Sequence, residues 1–225
     1  MNFREHLELK GKHATFSPSS PYWVGESFDE LQERRLAGWM PTIGTVTHSF
    51  AETAIREREK LNKYDKKAYK LYLLDNKETC IPRHIIDILD IDYLYSNLMQ
   101  YVNDGIGYKM KPEQRLVYSE YFWGTADCIS FRNNTLRIHD LKTGRSKVKM
   151  LQLEVYAALF CLEYGYKPGD INIILRIYQD SEIIEHVPEV DAIVPIMDQI
   201  VVESKNFTNF TEGDDENNAG YRRRY

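Results

Sequence analysis

The sequence predicts an α/β domain in which a mixed central β-sheet is flanked by helices. Two β-rich runs, residues 124–131 and 136–142, are joined by a short polar turn. An apolar helical stretch at 150–164 then precedes a third β-rich run at 171–179. This order of strand, strand, helix and strand predicts that the last strand lies beside residues 136–142 through a right-handed crossover.

The composition is that of an ordinary globular domain. The chain has 225 residues, 43% apolar and 28% charged, so we expect one domain over residues 1–210 and a disordered acidic and basic tail at 211–225. The net charge of −5 excludes a protein that coats nucleic acid through bulk positive charge, but is compatible with a local basic groove. We see neither a signal peptide nor a membrane span, and expect a cytoplasmic protein with no membrane partner.

Helical patterns dominate the first half of the chain. Residues 14–25 are rich in Ser, Pro and Gly and predict a loop, after which Ser27 or Asp29 can cap a short helix. A second helix of about four or five turns is predicted from Gly44. Residues 60–104 continue with helical periodicity, broken by Pro82, and we interpret residues 60–115 as a helical insertion.

The helix predicted at 150–164 is apolar on nearly every side. It ends at Gly165, which suits a helix C-terminus, and its composition predicts packing against the sheet. Gln152 and Tyr156 lie one turn apart on it. A buried Gln needs hydrogen-bond partners, so the simplest interpretation is that Gln152 ties this helix to the hairpin.

The Asn133-Asn134 turn sets the register of the hairpin, because both residues tolerate the positive φ that a two-residue turn demands. The opposed pairs are then Phe131 with Leu136, Ile129 with Ile138, Asp127 with Asp140, and Thr125 with Lys142. All eight side chains share one face, on which the two carboxylates have Cβ atoms about 5 Å apart. Such like charges repel unless a cation lies between them, and a divalent metal satisfies both. An ordinary surface strand with an Asp-Lys pair explains the hairpin alone equally well.

Four separated motifs carry a resemblance to a known family. They are GTVTHSFAE at 44–52, GTAD at 124–127, DLKTG at 140–144 and QLEVY at 152–156. In this order they resemble the PD-(D/E)XK nuclease superfamily, and within it the RecB-type and phage-encoded exonucleases. The resemblance implies a restriction-endonuclease-like core and a Mg²⁺- or Mn²⁺-dependent DNA exonuclease in phage-type recombination or DNA processing. The alternatives are an endonuclease or nickase of the same fold, a catalytically inactive DNA-binding assembly subunit, and a metal-dependent hydrolase acting on another substrate.

The resemblance also implies a role for each residue of the hairpin end. Asp127 and Asp140 would ligate one or two Mg²⁺ or Mn²⁺ ions, with the Leu141 carbonyl as a further ligand, and oxygen ligands suit these metals. Lys142 would orient the attacking water or help to deprotonate it. Gln152 and Tyr156 would line the site and help to position Lys142 or a DNA phosphate.

Three further residues are assigned to the metal by resemblance. His48 matches the histidine that approaches the second metal position in RecB-type members, and Glu52 lies one helical turn further on the same face. Without the motif, His48 and Glu52 read as a solvated pair on an exposed helix. Glu120 resembles the acid that several exonucleases supply just before the GxxD strand, and its alternative is an exposed residue at a strand edge.

Basic residues and cysteines complete the expectations. Arg145, Lys147 and Lys149 lie on the loop after DLK, where a DNA backbone would need neutralising, although such loops are often simply solvated. A second basic wall is formed in this interpretation by Lys109, Lys111 and Arg115. The three unclustered cysteines predict no iron-sulfur cluster. Relatives that form rings make a homo-oligomer worth testing, and a recombination operon would imply a strand-annealing partner and a bacterial host cell.

Overall fold

The structure is a computed structural model that describes residues 5–14, 16–76, 79–145 and 149–221, and of residues 211–221 the backbone only. Its centre is a five-stranded sheet in the order β1-β2-β3-β4-β5. The strands are β1 Lys111–Val117, β2 Trp123–Arg132, β3 Thr135–Leu141, β4 Asn172–Gln179 and β5 Glu182–His186. Neighbours are antiparallel except β3 and β4, which run parallel. The predicted mixed sheet, in which the strand after the 150–164 helix runs parallel to β3, is therefore confirmed.

Six α-helices flank the sheet in the described part of the chain. They are α1 Phe28–Glu57, α2 Lys66–Asp75, α3 Arg83–Ile88, α4 Ile91–Gly107, α5 Leu151–Tyr164 and α6 Val190–Tyr221. One core joins α1 to α4 with the sheet face that carries Cys128, Leu141 and Tyr178. A second core joins α5 and α6 to the opposite face, which carries Ile129, Leu136 and Ile138. Each face of the sheet thus buries apolar side chains against helices.

A single long helix replaces the two helices that the sequence predicts before residue 58. Ser27 caps α1 with a capping box, in which its side chain accepts a hydrogen bond from the Glu30 amide and the Glu30 carboxylate accepts one from the Ser27 amide. The helix then continues through Pro41. The two-helix prediction is wrong because one missing amide removes only one backbone hydrogen bond, while tertiary packing stabilises the turns on both sides.

The predicted helical insertion is only partly helical. Three helices, α2 to α4, follow α1 as expected, but residues 111–115 belong to strand β1 and not to a helix. The insertion is also not separate from the core, because Leu98 and Tyr101 of α4 are buried in the same cluster as Leu141 of the sheet. Pairing with β2 gives residues 111–115 hydrogen-bond partners that their own sequence does not reveal.

The β2-β3 hairpin confirms the predicted turn and most of the predicted register. Asn133 and Asn134 have φ of 49° and 56°, and the Ile129 and Ile138 rung forms. The ladder ends at Cys128 and His139, so the predicted Asp127-Asp140 and Thr125-Lys142 rungs do not form.

The backbone explains why the two rungs are lost. The Leu141 amide donates to the Asp127 carboxylate at 3.1 Å, and the Lys142 amide donates to the Tyr178 carbonyl of β4 at 3.0 Å. These bonds replace the ladder at its end. The single shared face is also lost, since Ile129 packs on the α5 side whereas Asp127 lies beside His48 of α1.

The end of the chain adds two elements that the sequence analysis does not foresee, β5 and α6. Helix α6 extends to Tyr221, so residues 211–221 are helical where disorder was predicted, and 222–225 lie outside the described residues. The prediction of disorder rests on a composition that cannot form a core. Extension of an existing helix needs no core, because each added residue gains one backbone hydrogen bond. No described helix combines the length and apolarity that a bilayer crossing requires.

Candidate metal centre

Three potential metal ligands converge from three different elements at one end of the sheet. His48 comes from α1, Glu113 from β1 and Asp127 from β2. Each offers a ligand atom, and these atoms all lie within 4.8 Å of one another. A nitrogen and two carboxylate oxygens at this spacing form an arrangement that can hold a divalent cation.

A close contact positions α1 over this end of the sheet. A Cβ atom added at Gly44 would lie 3.1 Å from the Thr143 hydroxyl oxygen, so a glycine lets the helix approach the loop that follows β3. His48 lies one turn further along α1 on the same face. Its Nδ1 is 3.5 Å from Oδ2 of Asp127. Gly44 and His48 of the first motif therefore face the same end of the sheet, Gly44 against Thr143 and His48 against Asp127.

Glu113 was not foreseen by the sequence analysis. The β1-β2 register pairs Pro112 with Cys128 and Gln114 with Ala126, which places Glu113 opposite Asp127. Its φ of 49° is unusual for a residue other than glycine and costs on the order of 1 kcal/mol. Strained residues of this kind are concentrated at functional sites.

Burial and like charge both act on the two carboxylates. Burial, and then the charge of Asp140, raise the pKa of Asp127 well above its usual range, while the Leu141 amide and Lys142 oppose that shift. Burial, and then the charge of Asp127, raise the pKa of Glu113. The ionised site is thus electrostatically unfavourable without a cation, which is the environment that a bound metal relieves.

Asp140 lies beside this group and is almost completely buried. Lys142 Nζ donates to its Oδ1 at 3.0 Å. The same nitrogen is 2.9 Å from Oδ2, yet Oδ2 receives no hydrogen bond of acceptable geometry from any described residue. A buried carboxylate oxygen in this state fits a cation ligand.

Helix α5 supplies the partners of Lys142. Nζ of Lys142 donates to Oε1 of Gln152 at 3.2 Å, so the ammonium lies between Asp140 and α5. The Tyr156 ring packs so closely on Gly124 that an added Cβ would lie 2.8 Å from Cε1 of the ring. Gln152 and Tyr156 therefore join the site, as the sequence analysis expects, and Gly124 makes room for the tyrosine.

The protonation state of His48 also suits a metal ligand. Burial lowers the pKa of His48, and the nearby charges of Glu113 and Asp140 only partly offset that effect. A neutral imidazole is the form that coordinates metal. Leu141 adjoins the three ligands, because its amide donates to the Asp127 carboxylate and its backbone hydrogen-bonds the His48 ring.

Four predicted metal ligands lie outside the three-residue group; Asp140 and Leu141 adjoin it, as described above, and Glu52 and Glu120 are the other two. Glu52 is close enough for its charge to raise the pKa of Glu113, but its carboxylate accepts a hydrogen bond from Arg56 at 2.8 Å. Glu120 is exposed in the β1-β2 turn. It lies three residues beyond Val117, the last residue of β1, whereas Glu113 lies opposite Asp127.

The basic residues predicted to contact DNA differ in their surroundings. Arg145 pairs with Asp90 at 2.8 Å and lies over the Tyr93 ring at 4.5 Å, so it is held against the start of α4. Lys149 is exposed and, with Lys142, lines a cavity of about 680 Å³. Lys147 lies outside the described residues.

The predicted second basic wall is a shared surface only in part, because Lys109 and Lys111 line one cavity whereas Arg115 lies over Trp123. Lys109 is exposed beyond α4, Lys111 donates to Gln114 at 3.4 Å, and the Arg115 guanidinium lies over the Trp123 ring at 5.0 Å. Trp123 also lines the cavity beside Lys142. Arg115, which stacks on Trp123, therefore lies close to that cavity.

The family of the chain emerges from comparison with known proteins. No curated protein matches it, and no solved structure matches it. A family model described as "Protein of unknown function (DUF2800)" matches residues 36–205. This match includes the residues of the candidate metal centre and all five strands. The chain belongs to the DUF2800 family.

Proposed function

We propose that the protein is a Mg²⁺- or Mn²⁺-dependent deoxyribonuclease with a PD-(D/E)XK core, acting as a DNA exonuclease in phage-type recombination or DNA processing. One observation carries the proposal. The ligand atoms of His48, Glu113 and Asp127 lie within 4.8 Å of one another, and a fourth group, Asp140, binds Lys142 beside them. Carboxylates with an adjacent lysine supply the parts that metal-assisted phosphodiester hydrolysis requires.

The donor set favours a hard divalent cation. Asp127 and Asp140, with His48 and Glu113, would hold the metal, and three carboxylates suit Mg²⁺ or Mn²⁺ better than zinc. When bound, such a metal lowers the pKa of a coordinated water and stabilises negative charge on phosphate oxygens.

Lys142 has the position of a residue that handles the water and the phosphate. Its ammonium is fixed between Asp140 and Gln152, so it can donate to a phosphate oxygen or to the attacking water without first being ordered. Tyr156 lies one turn beyond Gln152, and burial raises the pKa of its hydroxyl. The hydroxyl therefore stays protonated at neutral pH and can donate to a phosphate.

The surroundings of Lys142 favour a polymeric substrate. The cavity of about 680 Å³ beside it is open to solvent and is lined by Lys149 and Trp123 as well. A cation can neutralise a phosphate there, and an exposed indole can stack on a base. This combination supports DNA over a small phosphorylated metabolite.

The proposal is tested with linear duplex DNA labelled at its 5′ or 3′ end, incubated with the full chain in Mg²⁺, Mn²⁺ or EDTA. We expect metal-dependent release of label that Asp140→Ala and Lys142→Ala both abolish. Asp75→Asn, which removes an exposed carboxylate on α2, is the matched control and should cleave like the wild type. Closed circular DNA in parallel separates the two nuclease types, because only an endonuclease or nickase cuts it. A wild type that leaves every DNA form intact in both metals would refute the proposal.

A further inference from the structure

A second group of cations lies at the end of the sheet opposite the candidate metal centre. Lys109 follows α4, Arg132 ends β2 and Arg137 lies near the start of β3. Together they line a cavity of about 330 Å³, which we call the basic cavity. Tyr108 and Thr135 also line it, and none of the described residues around it is acidic.

The cations of the basic cavity are not matched by acidic partners among the described residues. Within the described ranges, none of its three cations takes part in an ion pair. The Arg137 guanidinium lies over the Tyr108 ring at 4.7 Å, so its position is defined. Three like charges around one cavity repel each other, and an anion in the cavity would relieve that repulsion.

The metal-centre end of the sheet contrasts with this arrangement. There Lys142 is paired with Asp140 and Arg145 with Asp90, and of the cations named at that end Lys149 is left without a described ion pair. A phosphate backbone gains most where lysines and arginines are not already neutralised. In a protein with a net charge of −5, a polyanion is attracted only to such local regions.

Neutral donors complete the cavity. Thr135 and Asn133 lie at the turn between β2 and β3 and line the same space. The Thr135 hydroxyl donates to the Asn133 carbonyl at 3.3 Å, so it would exchange that bond for one to a phosphate oxygen. Guanidinium, ammonium, hydroxyl and amide groups are the donors that hold phosphate oxygens in protein–DNA complexes. A volume of about 330 Å³ admits a phosphate with part of its sugar and solvent, but not a folded peptide.

We propose that the basic cavity binds a backbone phosphate of the DNA at a distance from the bond that is cut. This inference rests on the proposed function, which makes DNA the substrate. Thr135 and Asp140 are separated by five residues of β3, roughly 17 Å at 3.4 Å per residue. Successive phosphates of one DNA strand advance by about 3.4 Å along the duplex axis, so a stretch of about five base pairs spans the same length.

Salt dependence of binding is the test, measured by fluorescence anisotropy of a labelled duplex with the full chain in EDTA. The wild type is compared with Lys109→Gln/Arg132→Gln/Arg137→Gln. The matched control, Lys63→Gln/Lys67→Gln/Lys205→Gln, removes the same charge from exposed positions elsewhere. Each lost phosphate contact reduces the slope of log K against log salt by about 0.9. One phosphate contact is at stake, so we expect the cavity variant to lose about 0.9 unit of slope and the control to keep the wild-type slope.

Two outcomes would overturn the inference. Equal slopes in the cavity variant and the control would show that only net charge matters. A lower melting temperature with unchanged DNA binding would show that the cations merely balance the C-terminal dipole of α4.

A thermal-shift series with inorganic phosphate separates the two sources of a phosphate ligand. Stabilisation of the wild type that the cavity variant loses, with no change in its DNA salt slope, would assign the cavity to a free phosphate and overturn the assignment to DNA. The inference and the proposed function also fail separately. Cleavage with an unchanged slope refutes only the inference, and a changed slope without cleavage refutes only the nuclease.

Discussion

Glu113 lies opposite Asp127 in the antiparallel pairing of β1 and β2, and it holds that position with a φ of 49°. The contact joins two carboxylates that both have raised pKa values. Like charges in one partly buried site destabilise the folded protein unless a cation is bound. A substitution of Glu113 therefore tests two effects separately, the destabilisation of the metal-free protein and the binding of the metal.

Glu113→Gln should change stability in opposite directions with and without metal. The pKa of Glu113 is raised in the folded protein, so the wild type loses stability as the pH rises through that value, and the neutral glutamine does not. At pH 8 in EDTA the variant should therefore melt at a higher temperature. In Mn²⁺ it should gain less than the wild type, because it binds the metal at least about tenfold more weakly.

Differential scanning calorimetry and titration calorimetry with Mn²⁺ measure these two effects. Glu120→Gln is the control, since that carboxylate is exposed in the β1-β2 turn. Unchanged Mn²⁺ affinity in Glu113→Gln would remove Glu113 from the metal centre.

Gly124→Ala should disturb the Tyr156 side of the site. The added Cβ would lie 2.8 Å from Cε1 of the tyrosine ring, so the ring must move, and overpacking of this kind costs about 1–3 kcal/mol. Urea denaturation measures the loss. Adding Tyr156→Ala removes the ring that the new Cβ would contact. The double variant should therefore lose less stability than the sum of the losses in the two single variants. Additive losses would contradict the contact.

Gln152→Ala should weaken catalysis through Lys142 without weakening metal binding. Gln152 accepts a hydrogen bond from Lys142 at 3.2 Å, and it is not one of the three grouped metal ligands. We expect kcat for DNA cleavage to fall by about tenfold or more because the ammonium is less well positioned, while Mn²⁺ affinity stays the same. A variant with normal kcat would show that Lys142 does not need this partner.

His139 should make the protein less stable in acid. Burial, and then the charges of Arg176 and Arg137, lower the pKa of His139 to about 3. The unfolded chain binds a proton below about pH 6.5 whereas the folded protein does not, so stability is fully present above that pH and is lost as the pH falls. The limiting slope is about 1.4 kcal/mol per pH unit. Urea denaturation between pH 5 and 6.5 should show a slope that approaches this limit near pH 5 in the wild type and is smaller in His139→Asn; identical slopes would contradict it.

The hairpin and the helix after it could be predicted because local signals determine them. The Asn133-Asn134 turn fixes the β2-β3 register, and Gly165 ends α5 in the left-handed conformation. Glu113 could not be found in this way. The β1-β2 connection spans residues 118–122, which do not form a two-residue turn, so the sequence does not specify the register that brings Glu113 to Asp127.

The remaining differences between the predicted and the observed structure arise from tertiary contacts. Helix α1 continues through Pro41 because packing stabilises it on both sides. The ladder between β2 and β3 stops before Asp127 because that carboxylate takes the Leu141 amide. A sequence pattern places Asp127 and Asp140 at the correct end of the hairpin, but it does not reveal that the Asp127 side chain replaces the backbone pairing there.

The most direct measurement of the central claim is the release of an end label from linear duplex DNA in Mn²⁺, compared between the wild type and Asp127→Asn. Asp127 is the residue that touches both His48 and the Leu141 amide, and its replacement by asparagine keeps the shape while removing the charge. We predict release by the wild type that EDTA prevents and that Asp127→Asn reduces to background. Release by Asp127→Asn at the wild-type rate would contradict the account.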